Sequence, residues 1–257
     1  MIPKIIHYCW FGGNPLPKSA LKCIDSWRKF FPDWEIKEWN ESNFDVNIIP
    51  YTKEAYEAKK YAFVSDYARF WILYHYGGIY FDTDVEVIRP MDHIIAKGPF
   101  MGREAGAYLR NICGKDGYGL AVAPGLGLGA NVGMPIYKEF LDAYESYLFR
   151  KPDGSLNTKT IVCYTSEILV EHGLSNNNGE PELVSDVWIY PSDVFCPMDH
   201  TKGNILRITD RTVSIHRYDA SWIDHKTLHH KLHLVKNWLV RGLQRCKDVC
   251  HNNIINR

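Results

Sequence analysis

Apolar and polar positions along this chain fall into segments whose repeat switches between two and about four. Residues 3–13, PKIIHYCWFGG, form an apolar and aromatic run closed by two glycines, which predicts a first strand ending in a turn. PLPKSALKCIDSWRKFF follows, with Leu21, Ile24, Trp27 and Phe31 at the spacing of a helix packed on a sheet. In DWEIKEWN, Trp34, Ile36 and Glu38 share one face of a short strand. A helical stretch over about 53–76 is stopped by Gly77-Gly78, and GGIYFDTDVEVI at 77–88 then reads as a buried strand holding two aspartates. Strand, helix, strand, helix, strand predicts an α/β fold with a doubly wound, mostly parallel sheet flanked by helices. Beyond it come a glycine-rich loop at 125–133, helices at about 135–149 and 160–172, and late strands in VWIYPSDVFCP and RITDRTVSIHRY. Repeats and a clear linker are both lacking, which favours one domain over 1–225.

Composition supports a well-filled core: 257 residues are 46% hydrophobic and 14% aromatic. The formal net charge of zero argues against a nucleic-acid binder, but it is unevenly spread. Residues 226–257 hold seven Lys/Arg and one acid, Asp248, or 7 − 1 = +6, so the body carries −6. Within that tail Leu228, Leu232, Val235, Leu239 and Leu243 mark an apolar helical stripe, with Lys226, Lys231, Lys236, Arg241 and Arg245 around it and Trp238 near its border. A basic amphipathic C-terminal helix of this kind suits either a cover for the sheet or a peripheral attachment to an anionic membrane. The seven scattered cysteines pair into no zinc-like motif, and Cys246 and Cys250 sit at helical spacing. With no signal-peptide layout and no apolar run long enough to span a bilayer, the expected location is the cytoplasm, at the inner face of the membrane if the tail attaches there.

The chemistry centres on Asp82 and Asp84. Unpaired buried carboxylates are costly, so a cation is expected to meet them. On an extended segment residues i and i+2 share a face, which would present both carboxylates together and turn Thr83 away. A hard divalent ion, Mn²⁺ or Mg²⁺, suits such oxygen ligands and leaves positions for a diphosphate. The bland alternative is a solvated acid pair. In the preceding SDYARFW segment, Asp66 and Arg69 lie at i, i+3 on one helical face, either as a surface ion pair or as groups that hydrogen-bond sugar hydroxyls.

The ordered set IPKIIHYCWFGG, SDYARFWILYHYGGIYFDTDV, VFCP and HRYDASW resembles the DXD-motif glycosyltransferase sugar-binding-region family. That family includes bacterial capsule and lipopolysaccharide transferases and yeast initiation-specific mannosyltransferases, and it is distantly similar to the glucosyltransferase domain of the large clostridial toxins. The resemblance runs from residue 2 to about 222. It implies a GT-A fold and a retaining, metal-dependent transfer of a hexose, galactose above others. The donor would be a nucleotide sugar, UDP-linked in preference to GDP-mannose. The acceptor would be a glycan hydroxyl on a membrane lipid carrier, as in capsule or surface polysaccharide assembly. By matching position, Trp10 would stack on the base, while Asp66 and Arg69 would hold the donor sugar. Asp82 would contact ribose or metal, Asp84 the metal, and His216 the metal or diphosphate. Ser221 and Trp222 would close over the phosphates. No protein nucleophile is identified.

Three features fit less directly. Relatives are expected to carry a T-G-P element in the second half, and here YTSEIL, with Thr165, Ser166 and Glu167, takes its place. Glu167 is therefore only an acceptor-side candidate. The glycines of GLGLGANVGM lack the downstream acid of a dinucleotide site, so this loop is expected to be a flexible wall of the acceptor cleft that includes Asn131. The rival functions are a haloacid-dehalogenase-like phosphatase, using the first Asp of its D-x-D as nucleophile, and a non-catalytic sugar-binding module. The phosphatase pattern continues with Thr or Val where this chain has Glu86, and a module has no need of the S-D-x-x-R helix beside a metal site.

Overall fold

The computed structural model describes residues 1–108, 119–199, 204–205 and 207–218. Within it an eight-stranded sheet has the order β2-β1-β3-β7-β5-β9-β8, with β6 paired to β5. Its strands are β1 (Ile5–Cys9), β2 (Glu35–Trp39), β3 (Gly78–Tyr80), β5 (Phe100–Tyr108), β6 (Leu120–Val122), β7 (Leu128–Ala130), β8 (Glu182–Val184) and β9 (Val187–Tyr190). Pairings β1–β2, β1–β3 and β5–β9 are parallel, whereas β7 is antiparallel to both β3 and β5. Five strands therefore run one way, and β6, β7 and β8 run against them. A mixed α/β architecture with a mostly parallel central sheet is what the alternation of periods implied.

Side-chain alternation assigns the two faces. Ile6, Tyr8, Ile79, Phe81 and Phe100 join one apolar cluster, with Ile24 and Trp27 of helix α1 (Lys18–Phe30). Cys9, Tyr80, Met101 and Leu128 join the other, with Val64, Phe70 and Leu73 of helix α3 (Tyr61–Tyr76) and Phe140 and Tyr144 of helix α5 (Pro135–Glu145). Burying each such aliphatic or phenyl side chain contributes about 1.5–3 kcal/mol. Leu21 was expected on the packed face of α1, but Ala20 and Cys23 are buried in its place and Leu21 is 44% exposed. The register of that helix is set by Ala20, Cys23, Ile24 and Trp27.

The expected single helix over 53–76 is two: α2 (Pro50–Glu57) and α3, separated by a turn in which Lys59 takes φ +57°. That left-handed residue breaks the ladder, and Lys60 N–H bonds back to Ala55 O instead. At the other end of α3, Gly77 (φ +61°) and Gly78 (φ +96°) make the reversal into β3. A Cβ on Gly78 would stand 2.6 Å from Ile5 O, so β1 requires glycine there.

His7 pins this reversal. Trp39 Nε1 donates to His7 Nδ1 at 3.1 Å, and His7 Nε2 meets Gly77 O at 3.0 Å. Only the neutral imidazole with its proton on Nε2 satisfies both bonds. Burial pushes the pKa of His7 down to about 4 against the opposing bond to Gly77, and the Lys37 charge lowers it further.

The glycine-rich stretch is a second correction. It forms a 3₁₀ turn at Pro124–Leu126 and then β7, a buried strand in the middle of the sheet rather than a flexible cleft wall. A Cβ on Gly129 would fall 2.2 Å from the Phe100 ring, so glycine is there to let β7 pack under that phenyl group. Helix α6 (Ile161–Glu171) closes the second half. The two late strands are shorter than their sequence suggested. VWIYPSDVFCP bends after β9 into a one-turn helix, α7 (Ser192–Phe195), and RITDRTVSIHRY is extended only at β12 (Ser214–His216); a short helix α4 (Asp92–Lys97) precedes β5, and β10 (Met198–Asp199) pairs with β11 (Asn204–Ile205).

Among the described residues, no helix is long and apolar enough to cross a membrane. Ser221, Trp222, the two tail cysteines and the whole basic stripe from Lys226 lie outside the described residues.

Candidate metal centre

The segment carrying the two aspartates is not one strand. β3 ends at Tyr80, residues 83–84 form a turn closed by Val85 N–H to Asp82 O at 3.0 Å, and β4 (Val85–Val87) belongs to a separate ribbon with β12. The i, i+2 argument for a shared strand face therefore fails, because the backbone turns between the carboxylates. They are brought together by the turn itself and by what holds each side of it.

Asp82 is held at the carboxyl end of β3. Phe81 N–H donates to His7 O, Asp82 N–H donates to Gly125 O at 3.2 Å, and the Tyr80 hydroxyl donates to Asp82 Oδ1 at 3.2 Å. Gly125 packs so closely that a Cβ on it would lie 2.1 Å from Asp82 Oδ2. Asp84 is held through the ribbon. β4 is fastened to α1 by Trp27 Nε1 donating to Val85 O at 2.8 Å and by Val87 N–H donating to Ser26 Oγ at 2.9 Å. β12 runs antiparallel to it, setting His216 opposite Val85, and Arg217 N–H donates to Asp84 O at 2.9 Å while its guanidinium pairs with Glu86.

This register delivers His216 to the aspartates. Its Nε2 is 3.0 Å from Asp84 Oδ1 and 3.9 Å from Asp82 Oδ2. Asp82, Asp84 and His216 each offer one ligand atom, all within 4.8 Å of one another. Two carboxylates and an imidazole suit a divalent cation of the Mn²⁺ or Mg²⁺ type, with positions left over for oxygen atoms of a ligand. Burial alone would push the imidazole pKa down, but the neighbouring Asp84 and Asp82 carboxylates outweigh it and raise the pKa well above the usual histidine value. The two carboxylates thus hold positive charge on the imidazole, and a divalent cation would take the place of that proton.

Asp66 and Arg69 lie beside this cluster, not on the surface. Arg69 is 4% exposed, its Nη2 lies 3.0 Å from Asp66 Oδ1 and 3.3 Å from Asp82 Oδ1, and Tyr80 stacks against its guanidinium at 4.9 Å. The surface-pair alternative is thereby removed. Burial pushes the Asp66 carboxyl up to about 7 against the Arg69 charge, with the Asp82 carboxylate adding to the rise. Burial works against the Arg69 charge as well, yet Asp82 above all, then Tyr80 and Asp66, keep it firmly protonated.

Trp10 follows the carboxyl end of β1. Its backbone N–H bonds to Trp39 O and its indole Nε1 donates to Asn14 O at 2.6 Å, leaving the ring partly buried. The loop after it is anchored by Gly12 N–H to Glu41 Oε1 at 2.6 Å. Glu167 on α6 is paired with Lys159, and Asn131 directly follows β7 with its Oδ1 buried and unpartnered. Neither belongs to the three-residue cluster. In YTSEIL, Thr165 is fully buried, and the Ser166 hydroxyl accepts from Val122 N at 2.9 Å, so this segment ties α6 to β6.

Sequence reading missed Tyr80, His7 and Gly125. For Tyr80 the signal was present, since it alternates with Ile79 and Phe81 toward the Arg69 side of the sheet. His7 and Gly125 gave none, because their partners lie 70 and 43 positions away.

Residues 17–101 match the family model described as glycosyltransferase sugar-binding region containing DXD motif. This range takes in α3 and both aspartates. The chain is 33% identical over 111 residues to inositol phosphoceramide mannosyltransferase 1 of Schizosaccharomyces pombe, covering 39% of this chain and 33% of that protein. It is 32% identical over 109 residues to a mannosyl phosphorylinositol ceramide synthase of Saccharomyces cerevisiae, covering 39% and 28%. The chain thus spans about a third of the length of the yeast relatives it matches. A longer match, 24% identical and covering 89% of this chain and 86% of the other, is to an uncharacterised glycosyltransferase of Acanthamoeba polyphaga mimivirus. Among solved structures, the PaToxG glycosyltransferase matches with a TM-score of 0.45 at 18% identity, covering 66% of this chain and 69% of that one. The resemblance read from the motifs to the DXD glycosyltransferases is met by the family-model match and the yeast and mimivirus relatives.

Proposed function

We propose that this protein is a metal-dependent glycosyltransferase that moves a hexose from a nucleotide sugar to a hydroxyl of a lipid-borne acceptor. The observation that carries the reading is the convergence of Asp82, Asp84 and His216 within 4.8 Å, with Arg69 reaching Asp82 at 3.3 Å. Asp84 and His216 hold the ion and Asp82 shares it, with Mn²⁺ favoured. When bound, that ion neutralises charge on the departing diphosphate.

The chain's own residues supply the rest. Trp10 offers its ring to the base. Asp66 and Arg69 bind hydroxyls of the donor sugar and orient its anomeric carbon, with Tyr80 fixing the guanidinium plane from below. Ser221 and Trp222 close over the phosphates on this reading, and the basic tail keeps the enzyme at the inner face of an anionic membrane.

The names of the yeast relatives shift the sugar from galactose to mannose, and with it GDP-mannose, the second donor that the resemblance allowed, moves ahead of a UDP-sugar. They also favour the polar head of a membrane lipid as acceptor. A phosphatase reading is disfavoured because Glu86 stands where the phosphatase pattern carries Thr or Val.

Sugar release from GDP-mannose, UDP-galactose and UDP-glucose, each with Mn²⁺ or EDTA, tests the proposal. It stands if one donor is consumed with Mn²⁺ alone, GDP-mannose before the others. It falls if every donor is left intact, or if phosphate is released from simple phosphomonoesters at a higher rate.

A further inference from the structure

His216 is the third member of the candidate metal centre, and its orientation has no conventional support. A metal-binding histidine normally donates its second ring N–H to a carboxylate, carbonyl or water, which fixes the ring plane. Here Nδ1 is buried and has no hydrogen-bond partner. Something else must hold the ring so that Nε2 faces Asp84 and Asp82.

The structure offers one such device. The Tyr218 ring meets the His216 ring edge-on, with centroids 4.3 Å apart and planes at 77°. Aromatic contacts of this geometry are favourable beyond the area they bury, because the positive edge of one ring meets the negative face of the other. Tyr218 is in turn tied at its far end, where its hydroxyl donates to Glu104 Oε1 at 2.6 Å and lies 3.0 Å from Cys196 Sγ. Glu104 sits on β5 and is 9% exposed, so its anchor belongs to the main sheet and not to the β4–β12 ribbon. The Tyr218 backbone adopts φ +53°, a left-handed conformation that a bulky residue takes only when its surroundings impose it. Strain of this kind next to a functional group is a common companion of preorganisation.

We propose that Tyr218, anchored by Glu104, is the positioning residue that sets the His216 imidazole for metal binding, replacing the missing hydrogen bond at Nδ1. This rests on the metal-centre reading above. It predicts a graded response. Tyr218→Phe keeps the ring but frees its far end, Tyr218→Leu removes the edge contact, and Glu104→Gln retains an acceptor for the hydroxyl.

The test is Mn²⁺ affinity of the 257-residue chain, followed by the EPR signal of free Mn²⁺, with thermal unfolding in EDTA measured in parallel. Mn²⁺ affinity is expected to fall about 10-fold in Tyr218→Leu and about threefold in Tyr218→Phe, with Glu104→Gln near wild type. In a His216→Asn background, the same Tyr218 changes should leave the remaining affinity unaltered, because the ring they position is gone. Tyr218 effects that add in full to His216→Asn, or Tyr218 variants that lose melting temperature yet keep wild-type Mn²⁺ affinity, would overturn the positioning role. If the wild-type chain binds no Mn²⁺, the metal centre itself falls and the role falls with it. Wild-type binding that His216→Asn leaves intact would remove His216 from the centre while sparing the aspartates.

Discussion

Arg69 Nη2 lies 3.3 Å from Oδ1 of Asp82, so the first aspartate of the D-x-D motif has a buried cationic partner supplied by the preceding helix. This answers why a carboxylate can follow Ile79, Tyr80 and Phe81 at the edge of an apolar core. The guanidinium offsets part of the burial cost, and the remaining oxygen is left to face Asp84 and His216.

The shared guanidinium yields the first prediction. Arg69→Lys keeps the charge but cannot span Asp66, Asp82 and Ser65 O together, so turnover should fall at least about 10-fold and stability by about 1–2 kcal/mol. Arg69→Ala leaves the buried Asp66 and the partly buried Asp82 without the cation they share and should cost about 3–5 kcal/mol. Urea unfolding beside a donor-release assay separates the two losses.

Acid sensitivity follows from His7. Its folded pKa of about 4 lies below the unfolded value of about 6.5, so the unfolded chain binds the extra proton first as pH falls. Stability from this group is complete above about pH 6.5 and drains through the window down to about 4. The loss should be about 2 kcal/mol at pH 5 and about 3 kcal/mol at pH 4. Urea midpoints of wild type and His7→Gln between pH 7.5 and 4.5 check this, and the variant should show a shallower slope in that window. Equal slopes would mean that His7 is not held neutral.

Asp66 has the opposite sign. Its folded pKa is raised to about 7, so its contribution favours the folded state at low pH and is lost as pH climbs from about 4 toward 7. Asp66→Asn should therefore steepen the net loss of stability on acidification, since the group that opposed His7 is gone. The same variant should transfer sugar poorly while binding free nucleoside diphosphate nearly as wild type. Parallel loss of nucleotide binding would place Asp66 in a purely structural role.

Gly125→Ala tests how tightly Asp82 is packed. The added methyl group would stand 2.1 Å from Asp82 Oδ2, and that carboxylate cannot swing away without leaving Tyr80 and Arg69. Metal affinity should fall about 10-fold or more while the unfolding free energy changes by no more than about 1–2 kcal/mol. Metal titration and denaturant unfolding of the same preparation would show the split.

How much of this could be read beforehand depended on whether the partners were local. β1, α1, β2, α3, α5 and α6 carry their own periodicity, and Gly77-Gly78 carries its own stop. The pairing of Asp66 with Arg69 was legible because both sit on one helix. Three things were not. The turn at Lys59 is imposed by packing of α2 against α3, and no proline or glycine marks it. β5 went unread because Arg103 and Glu104 look like surface residues. In the structure Arg103 is buried by Leu120 O, Ser175 O and Glu182, all supplied from far along the chain. β7 was hidden in glycines whose purpose, room for Phe100 and Asp82, appears only when the strands are side by side. The two carboxylates of the D-x-D do converge, but a turn and the register of β4 with β12 bring them together, not the shared strand face that the i, i+2 spacing suggested.

The most direct test of the central claim is calorimetric titration of Mn²⁺ into the protein with GDP present, for wild type and Asp84→Ala. Asp84→Ala removes one carboxylate from the cluster and so relieves repulsion with Asp82, and the variant should stay folded. Wild type is expected to show one saturable Mn²⁺ site, and the variant a loss of at least about 100-fold in affinity together with loss of metal-dependent GDP binding. Wild-type Mn²⁺ affinity in a folded Asp84→Ala protein would contradict this expectation.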